Sequence, residues 1–237
     1  MANEPFLAMT AAEIHEKSDL PEKIAWMACH FSPYGTGLSN LPRTLPPGSL
    51  LILDDITPIR GHDPRRILDQ LLERTEALSC SGVLLDFQRA ETAATASLVE
   101  VLTEGLTCPV AVSHCYAGNG SFPVFLPPVP PCEEPEGYFS LWAGREIWLE
   151  LALEGMEITV TEKGSSYTPL PFPSHCKADH YEETLRCHYH CAVKEDAVKF
   201  TLHRTPEDLE SLIAEAANFG VTTTVGLYQE FTAYGRV

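Results

Sequence analysis

The stretch "GSLLILDDITPIRGHDPRRILDQLLERTEALSCSGVLLDF", residues 48–87, contains two apolar runs separated by a helical pattern. The first run, residues 50–53, has no polar interruption, which is typical of a strand buried on both faces of a parallel sheet. Asp63 is a suitable N-cap, Pro64 suits the first helical position, and apolar residues follow at helical spacing. The second run, GVLLDF, predicts another strand. The stretch therefore predicts a β-α-β unit with parallel strands.

Strands and helices alternate in the same way along most of the chain. Further apolar runs predict strands in KIAWMACHF (residues 23–31), CPVAVS (108–113), FPVFL (122–126) and TTTVGLYQEF (222–231), and helical patterns follow residue 91 and Thr205. The segments around residues 154–155 and around residues 194–196 instead alternate with period two, which predicts two antiparallel hairpins. About eight strand positions result, which suits a small or irregular TIM-type (β/α)8 barrel with two β-hairpin excursions in its second half.

A single α/β domain over residues 1–237 is the expected organisation, with residues 1–22 as a polar N-terminal segment. Barrels of roughly 200–250 residues routinely form one unit. The rival fold is an open doubly wound sheet, which usually marks a nucleotide site with a Gly-rich turn after its first strand. The corresponding turn here contains Gly35 and Gly37 but has no third glycine and no following helical pattern. We therefore expect no dinucleotide and no other cofactor.

The charge of the chain narrows the classes of ligand. The 237 residues include 33 Asp and Glu against 16 Lys and Arg, which gives a formal net charge of −17. This balance argues against nucleic acid, whose phosphates require basic side chains, and against an anionic membrane surface. It favours neutral or cationic small ligands. The oligomeric state stays open.

The N-terminal sequence, the lengths of the apolar runs and the cysteines together predict a cytoplasmic protein. The N-terminus has no basic region followed by an apolar core, so no secretory signal is expected, and no apolar run is long enough to span a membrane. The eight cysteines are scattered and are expected to be reduced. Adjacent pairs such as Cys29 and His30 face opposite ways on a strand, so they do not indicate a nucleophilic cysteine.

The carboxyl ends of the predicted strands hold the candidate site residues, because TIM-barrel active sites lie at that end. Polar side chains occur at five of these ends: His30; Asp54 and Asp55; Asp86 and Gln88; His114 and Tyr116; Tyr228 and Glu230. Each position alone also has a structural explanation, since strand ends meet loops that favour Asp. Asp86 and Gln88 are the most informative pair, because the two-residue period of a strand points both to the same face.

The stretch GVLLDFQ resembles the signature strand of the family-18 (chitinase-like) glycoside hydrolases, Asp-Gly-x-Asp-x-Asp-x-Glu. Gly82 falls on the glycine, Asp86 on the last aspartate and Gln88 on the catalytic glutamate, whereas the first two aspartates fall on Ser81 and Leu84. The final strand, with the hairpin and helix before it, also resembles the end of that family. The resemblance covers a minor part of the chain and implies a barrel that acts on carbohydrates.

Gln88 changes what this resemblance implies about mechanism. In that family the glutamic acid protonates the glycosidic oxygen, while the neighbouring aspartate orients the acetamido group of the substrate as internal nucleophile. A glutamine cannot deliver that proton, although Gln88 and Asp86 could still hydrogen-bond a small carbohydrate ligand. Hydrolysis would need other carboxylates, with Glu230 as acid and Asp86 or Asp55 as nucleophile or base, about 5–9.5 Å apart. Binding alone and hydrolysis by these residues both stay open.

The remaining strand-end residues are candidate sugar contacts. The polar ones are His30, Asp54, His114 and Gln88, and the aromatic ones that could stack on a sugar ring are Tyr34, Tyr116 and Tyr228. Trp148 alternates with Ile147 and Leu149, so it is expected in the core or on a sheet face.

A metal-dependent hydrolase is the third interpretation. One segment gathers His175, Cys176, His180, Cys187, His188, His190 and Cys191. His188 and His190 would share one face of a strand and could bind zinc. The spacing of the cysteines matches none of the usual paired knuckles of structural zinc sites. We therefore favour a plain hairpin without a bound metal.

Overall fold

The computed structural model describes residues 4–17, 19–118, 120–153, 155–170 and 179–233. In chain order, the strands are β1 (Phe6–Met9), β2 (Ile24–Phe31), β3 (Leu38–Ser39), β4 (Leu50–Asp54), β5 (Gly82–Asp86), β6 (Val110–Ser113), β7 (Val124–Leu126), β8 (Ile147–Leu151), β9 (Gly155–Thr161), β10 (Gly164–Leu170), β11 (His180–Glu182), β12 (Cys187–Val193), β13 (Ala197–His203) and β14 (Val221–Leu227). The α-helices are α1 (Ala11–Glu16), α2 (Pro64–Leu78), α3 (Ala93–Gly105), α4 (Pro135–Ser140), α5 (Pro206–Ala216) and α6 (Tyr228–Ala233). Short 3-10 helices occupy His114–Tyr116 and Ala217–Phe219.

Eight of these strands close into a parallel barrel. Their order around the ring is β1, β2, β4, β5, β6, β7, β8 and β14, and β14 returns to pair with β1. Each neighbouring pair in the ring is parallel. The predicted TIM-type (β/α)8 barrel is therefore confirmed. The open doubly wound sheet is excluded, because its end strands would not pair with each other.

Helix α2 begins as the sequence predicts. Asp63 accepts a hydrogen bond from the Arg65 backbone amide at 3.0 Å, and Pro64 is the first helical residue. Ile67 and Leu71 are fully buried in one core cluster with outward-facing residues of β4 and β5. Helix α5 starts in the same way, with Thr205 as its N-cap and Pro206 as its first residue. Local capping and an apolar stripe thus define both helices.

Inward-facing side chains fill the interior of the barrel. They come from all of its strands: Ala8, Ala25, Leu50, Ile52, Leu84, Ala111, Phe125, Trp148 and Val225. Trp148 is 3% exposed, which confirms its expected core position. Gly82 makes room for this indole, because a Cβ atom there would lie 2.8 Å from Trp148 Cη2. The alternate side chains of each strand face the surrounding helices.

A five-stranded antiparallel sheet lies between β8 and α5 in the chain, with the order β10, β9, β13, β12, β11. The predicted hairpin around residues 194–196 is confirmed, since β12 and β13 pair on either side of it. The predicted hairpin around residues 154–155 is wrong, because β8 pairs in parallel with β7 and β14, while β9 pairs with β10 and β13. The period-two pattern of β8 arises because Glu150 and Trp148 face the barrel interior and their neighbours face outward.

The barrel begins earlier than the sequence indicates. Residues 1–22 include β1, in which Leu7, Ala8 and Met9 are buried, and helix α1. Thr10 caps α1 reciprocally with Glu13. A four-residue apolar run between polar segments is too short for periodicity to mark it as a strand.

The helical layer around the barrel is irregular. Helices α2 and α3 follow β4 and β5, but the described residues between β6 and β7 contain only the 3-10 helix, and β2 is followed by the short strand β3. These departures agree with the irregular barrel predicted. None of the helices in the described part of the chain combines the length and the apolarity that crossing a membrane requires.

Candidate functional site

A cavity of about 460 Å³ opens at the carboxyl end of the barrel strands. Its floor is apolar and includes Ile52, Leu84, Phe125 and Val225. Its rim is polar and consists of Asp54, Asp55, Asp86, Gln88, Arg89 and Glu150. Asp54 and Asp86 are register partners at the ends of β4 and β5. The cavity therefore lies where the strand ends of a TIM barrel place an active site.

Asp86 and Gln88 are in direct contact at this rim. Gln88 Nε2 donates to Asp86 Oδ1 at 2.7 Å, which confirms that both side chains lie on one face. Ser113 Oγ on the neighbouring strand is 3.4 Å from the same oxygen. Burial raises the pKa of Asp86; the Gln88 hydrogen bond acts against this shift, and the negative charge of Asp54 adds to it. Ionising Asp86 therefore costs more free energy in the folded chain than ionising an exposed aspartate does.

Asp54 is paired with His30. His30 Nδ1 lies 2.6 Å from Asp54 Oδ2, and the other carboxylate oxygen accepts from the Ile56 amide at 3.1 Å. Asp54 is 8% exposed, whereas His30 is only partly buried. The two predicted site residues are thus brought together, with Asp54 at the cavity and His30 on the adjacent strand β2.

Asp55 organises the loop after β5. Its two carboxylate oxygens accept from the backbone amides of Gln88 and Arg89, each at 2.9 Å. The Arg89 guanidinium donates in return to the backbone oxygens of Asp55 and Ile56, each at 2.7 Å. The Asp55 carboxylate, which the sequence suggests as nucleophile or base, therefore holds the backbone of Gln88 in place.

Glu230 and Tyr228 are not brought to the cavity. Both lie in α6 and are buried, at 6% and 7% exposure. Glu230 Oε2 accepts from the Leu153 amide at 2.7 Å, and Tyr228 belongs to the core between the barrel and its helices. Neither residue lines the cavity that Asp86 lines. The suggested pairing of Glu230 as acid with Asp86 or Asp55 is therefore not assembled.

The other aromatic and histidine candidates also lie elsewhere. Tyr34 is 98% exposed and away from the cavity. Tyr116 is buried and donates its hydroxyl to the Arg89 backbone oxygen at 2.5 Å, so it supports the loop that carries Gln88. His114 is exposed and packs edge to face with Trp142, with 6.5 Å between ring centroids. None of the three lines the cavity that Asp86 and Gln88 line.

Glu150 is the cavity residue that sequence reasoning missed. It lies on β8 two residues after Trp148, so its side chain faces the same interior. The spacing from Trp148 carries this signal, but the same period-two pattern predicts one arm of a hairpin. With Asp54 and Asp86, Glu150 gives the cavity inward-facing carboxylates from three different strands.

The described residues do not assemble the metal site of the third interpretation. Among the described residues, no group of three or more His, Cys, Asp or Glu side chains could hold a metal ion. His188 Nε2 lies 3.5 Å from Asp208, and His190 contacts the carboxylate of Asp179. The candidate ligands His175 and Cys176 lie outside the described residues.

Thiol chemistry is not favoured by the described cysteines, which are all free. Burial raises the pKa of Cys29 to about 12 and that of Cys187 to about 11. Burial also raises the pKa of the exposed Cys115, whose Sγ donates to the Phe87 backbone oxygen at 3.3 Å. These groups are protonated at neutral pH, and the thiolate is the nucleophilic form.

Fold and site together define a TIM barrel with an acidic cavity at the carboxyl end of its strands. No protein-family model matches the chain, and no curated protein sequence matches it. Solved structures do share its fold. A chitinase-like agglutinin from Robinia pseudoacacia has a TM-score of 0.58 and 10% sequence identity, with 93% of each chain covered.

Two bacterial enzymes have the same fold. A chitinase from Chromobacterium violaceum has a TM-score of 0.57 at 9% identity, with 98% of each chain covered. The spore cortex-lytic enzyme SleL from Bacillus cereus has a TM-score of 0.56 at 11% identity, with 94% of this chain and 70% of that chain covered. At such low identity these similarities describe the barrel and leave the chemistry of its cavity to the residues themselves.

Proposed function

We propose that this protein binds an oligosaccharide in the cavity at the carboxyl end of its barrel, and that Asp86 and Gln88 hydrogen-bond the sugar. The observation that carries the proposal is the 2.7 Å contact between Gln88 Nε2 and Asp86 Oδ1 at the rim of a 460 Å³ cavity. Together the two side chains offer amide donors and carboxylate acceptors, which match sugar hydroxyls. The apolar floor would take the less polar face of a sugar ring.

The likeness to a chitinase-like agglutinin and to chitinases supports a carbohydrate ligand by analogy of fold. The partial match of GVLLDFQ to the family-18 signature points the same way, because its last aspartate and its glutamate position correspond to Asp86 and Gln88. Within this proposal the chain is a family-18-like barrel. The glutamine in place of the acid favours binding without turnover.

Hydrolysis by other residues is the second candidate, and one observation favours it. Burial raises the pKa of Asp86, as general acids of glycosidases require, and Glu150 provides another carboxylate in the same cavity. In this version Asp86 is the acid and Glu150 the base or nucleophile. It replaces the version with Glu230, whose carboxylate binds the Leu153 amide.

Calorimetric titration with a β-1,4-linked N-acetylglucosamine tetramer tests the proposal. We expect saturable binding by the wild type and about 10–100-fold weaker binding by Asp86→Asn, since hydrogen bonds to a charged group contribute about 1.5–3 kcal/mol. Gln88→Ala should weaken binding by about 2–10-fold, as a neutral hydrogen bond does. Glu73→Gln, an exposed position on α2, is the matched control and should bind like the wild type.

Asp86→Asn should stay folded, so its loss of binding can be interpreted. The raised pKa of Asp86 means that its negative charge opposes folding at neutral pH, and stability through this group rises as pH falls toward that pKa. Removing the charge therefore should not lower the melting temperature at neutral pH. Wild-type binding that neither Asp86→Asn nor Gln88→Ala weakens would contradict the proposed site.

An assay that follows release of an aryl leaving group from model glycosides distinguishes binding without turnover from hydrolysis. Under the binding proposal the wild type shows no turnover, and Gln88→Glu restores an acid at the family-18 position and raises turnover above background. Turnover by the wild type that disappears in both Asp86→Asn and Glu150→Gln would favour the hydrolase. If Gln88→Glu changes neither turnover nor binding, the correspondence of Gln88 with the family-18 acid is wrong.

A further inference from the structure

A groove of about 680 Å³ lies on the outer side of the barrel. Helix α1 and the loop between β3 and β4 border it, and Trp26 of β2 lines it. Trp26 belongs to the outward-facing core cluster, whereas Met27, the next residue, lines the barrel cavity. Among the described residues, none lines both the groove and the cavity. Binding in the groove is therefore a question separate from the proposed sugar site.

The groove is open because no helix follows β2. A barrel strand is normally covered by the helix that comes after it. Between β2 and β4 the chain instead forms β3 and a loop with prolines at positions 42, 46 and 47. Proline inside a helix removes a backbone hydrogen bond and clashes with the preceding turn, so this loop does not supply the helix. Apolar side chains that pack beside Trp26 stay only partly buried, namely Ile14, Leu41 and Leu45.

The lining of the groove suits a ligand whose body is apolar. Trp26 Nε1 already donates to the Asn40 backbone oxygen at 2.9 Å, so the indole needs no hydrogen bond from a ligand. An alkyl chain matches this surface, because each buried methylene contributes about 0.8 kcal/mol. The volume lies within the usual range of small-ligand sites, about 300–1,000 Å³. The apolar lining residues besides Trp26 are Ala11, Ile14, Leu20, Leu41, Pro42, Leu45 and Pro46.

The charge in the groove is opposite in sign to that of the whole chain. The described lining residues include no Asp or Glu, although the chain has 33 of these against 16 Lys and Arg. Arg43 and His15 do line the groove, and His15 Nδ1 lies 2.5 Å from the Ala11 backbone oxygen. Arg43 is exposed, and none of the described carboxylates forms an ion pair with it. Its planar guanidinium can bind a carboxylate through two parallel hydrogen bonds.

We propose that the groove is a binding site for a free medium-chain fatty acid. The alkyl chain lies against Trp26 and the neighbouring aliphatic side chains, and the Arg43 guanidinium binds the carboxylate. Two separate features of the groove support this ligand: apolar surface that no helix covers, and a positive charge in an acidic protein. Both contribute to affinity, because an exposed ion pair alone provides only about 0.2–1 kcal/mol.

Calorimetric titration with octanoate, decanoate and dodecanoate, each below its micellar concentration, tests the apolar part of the site. We expect each extension by two carbons to tighten binding about 4–15-fold, as partial to full burial of two methylenes predicts. Leu20→Glu should weaken decanoate binding about 5-fold or more, because it replaces an apolar lining residue by a charge of the same sign as the ligand. Leu141→Glu, at an exposed position outside the groove, is the matched control and should bind like the wild type.

Decylammonium separates the local charge of the groove from the overall charge of the protein. The net charge of −17 favours this cation, whereas Arg43 favours decanoate. At about 0.15 M salt, where fields are screened beyond roughly 8 Å, we expect decanoate to bind about 2–5-fold more tightly. Arg43→Gln should abolish this preference. Arg66→Gln, which is also exposed but lies outside the groove, should retain it.

The indole signals in a ¹H–¹⁵N spectrum locate the ligand. The chain has three tryptophans, and the signal of Trp26 is identified by its loss in Trp26→Phe. Decanoate should shift this signal and should leave that of Trp148, inside the barrel, unchanged. The inference is overturned by absence of saturable binding at every chain length, by decylammonium binding as tight as that of decanoate, or by a shift of Trp148 without one of Trp26. A loss in Leu141→Glu equal to that in Leu20→Glu would also overturn it.

Discussion

The barrel and the five-stranded sheet are both built from strands, but they exclude water to different degrees. Each residue of β4 is buried, whereas in β10 all residues but Leu170 are exposed. Barrel strands are covered by side chains inside the ring and by helices outside it, so they gain stability from apolar burial on both faces. The sheet buries far less, so its attachment to the barrel depends on a small number of specific contacts.

Arg204 provides the most extensive of these contacts. It follows β13 directly and is 3% exposed. Its guanidinium donates to the backbone oxygens of Leu185 and Arg186, beside β12, and to those of Val129 and Pro130, in the loop after β7. One side chain thus joins the sheet to the barrel through four hydrogen bonds to backbone oxygens.

Arg204→Met should have the largest effect on stability. It would remove four hydrogen bonds to carbonyl oxygens in a buried and partly buried region, and we expect the free energy of unfolding to fall by about 3–5 kcal/mol. Urea denaturation followed by circular dichroism measures this loss. Arg66→Met, an exposed position on α2, should change stability by less than about 0.5 kcal/mol. Equal losses in the two variants would mean that Arg204 does not fasten the sheet.

Gly82→Ala should have an intermediate effect, confined to the barrel. The new Cβ would lie 2.8 Å from Trp148 Cη2 and 3.0 Å from the Pro109 backbone oxygen, so the packed interior must shift. We expect a loss of about 1–3 kcal/mol in the same denaturation experiment, as for other overpacked cores. Gly137→Ala in α4 meets no atom within 4 Å and is the matched control. Equal stability of the two alanine variants would contradict this expectation.

Lys199→Met should have the smallest effect, although Lys199 Nζ lies 2.6 Å from Glu157 Oε1 across β13 and β9. Both side chains are partly exposed, and ion pairs at the surface are screened by water and contribute little. Lys199 lowers the pKa of Glu157, chiefly through this hydrogen bond, so the small stabilisation is present at neutral pH and is lost as pH falls through that pKa. We expect the denaturation midpoints of variant and wild type to coincide within error. A large loss would show that surface pairs hold this sheet.

Much of the fold could be predicted because its signals are local. Asp63 and Pro64 start α2 through contacts within one turn, and the continuous apolar run of β4 reflects burial on both faces. Strand β1 escaped prediction because four residues are too few for a periodic pattern. The hairpin predicted around residues 154–155 was wrong because period two describes any strand with unlike faces, whether it pairs in a barrel or in a hairpin.

The cavity could be predicted only in part. Asp86 and Gln88 are two residues apart, so strand geometry alone placed them together. Glu230 lies in α6 shortly after the end of β14, and its carboxylate accepts from the Leu153 amide, a partner distant in sequence. Nothing within a few residues of Glu230 encodes that contact. Likewise, nothing near Glu150 in the sequence shows that it lines the same cavity as the carboxylates of β4 and β5.

The sequence by itself therefore determined the strands and helices of the β-α-β units, the caps of α2 and α5, and the Asp86–Gln88 pair, since each depends on contacts within a few residues. Tertiary structure alone decided which carboxylates line the cavity and which are buried as backbone partners. That choice depends on how strands from distant parts of the chain align around the ring, because a side chain faces the interior or the helices according to register.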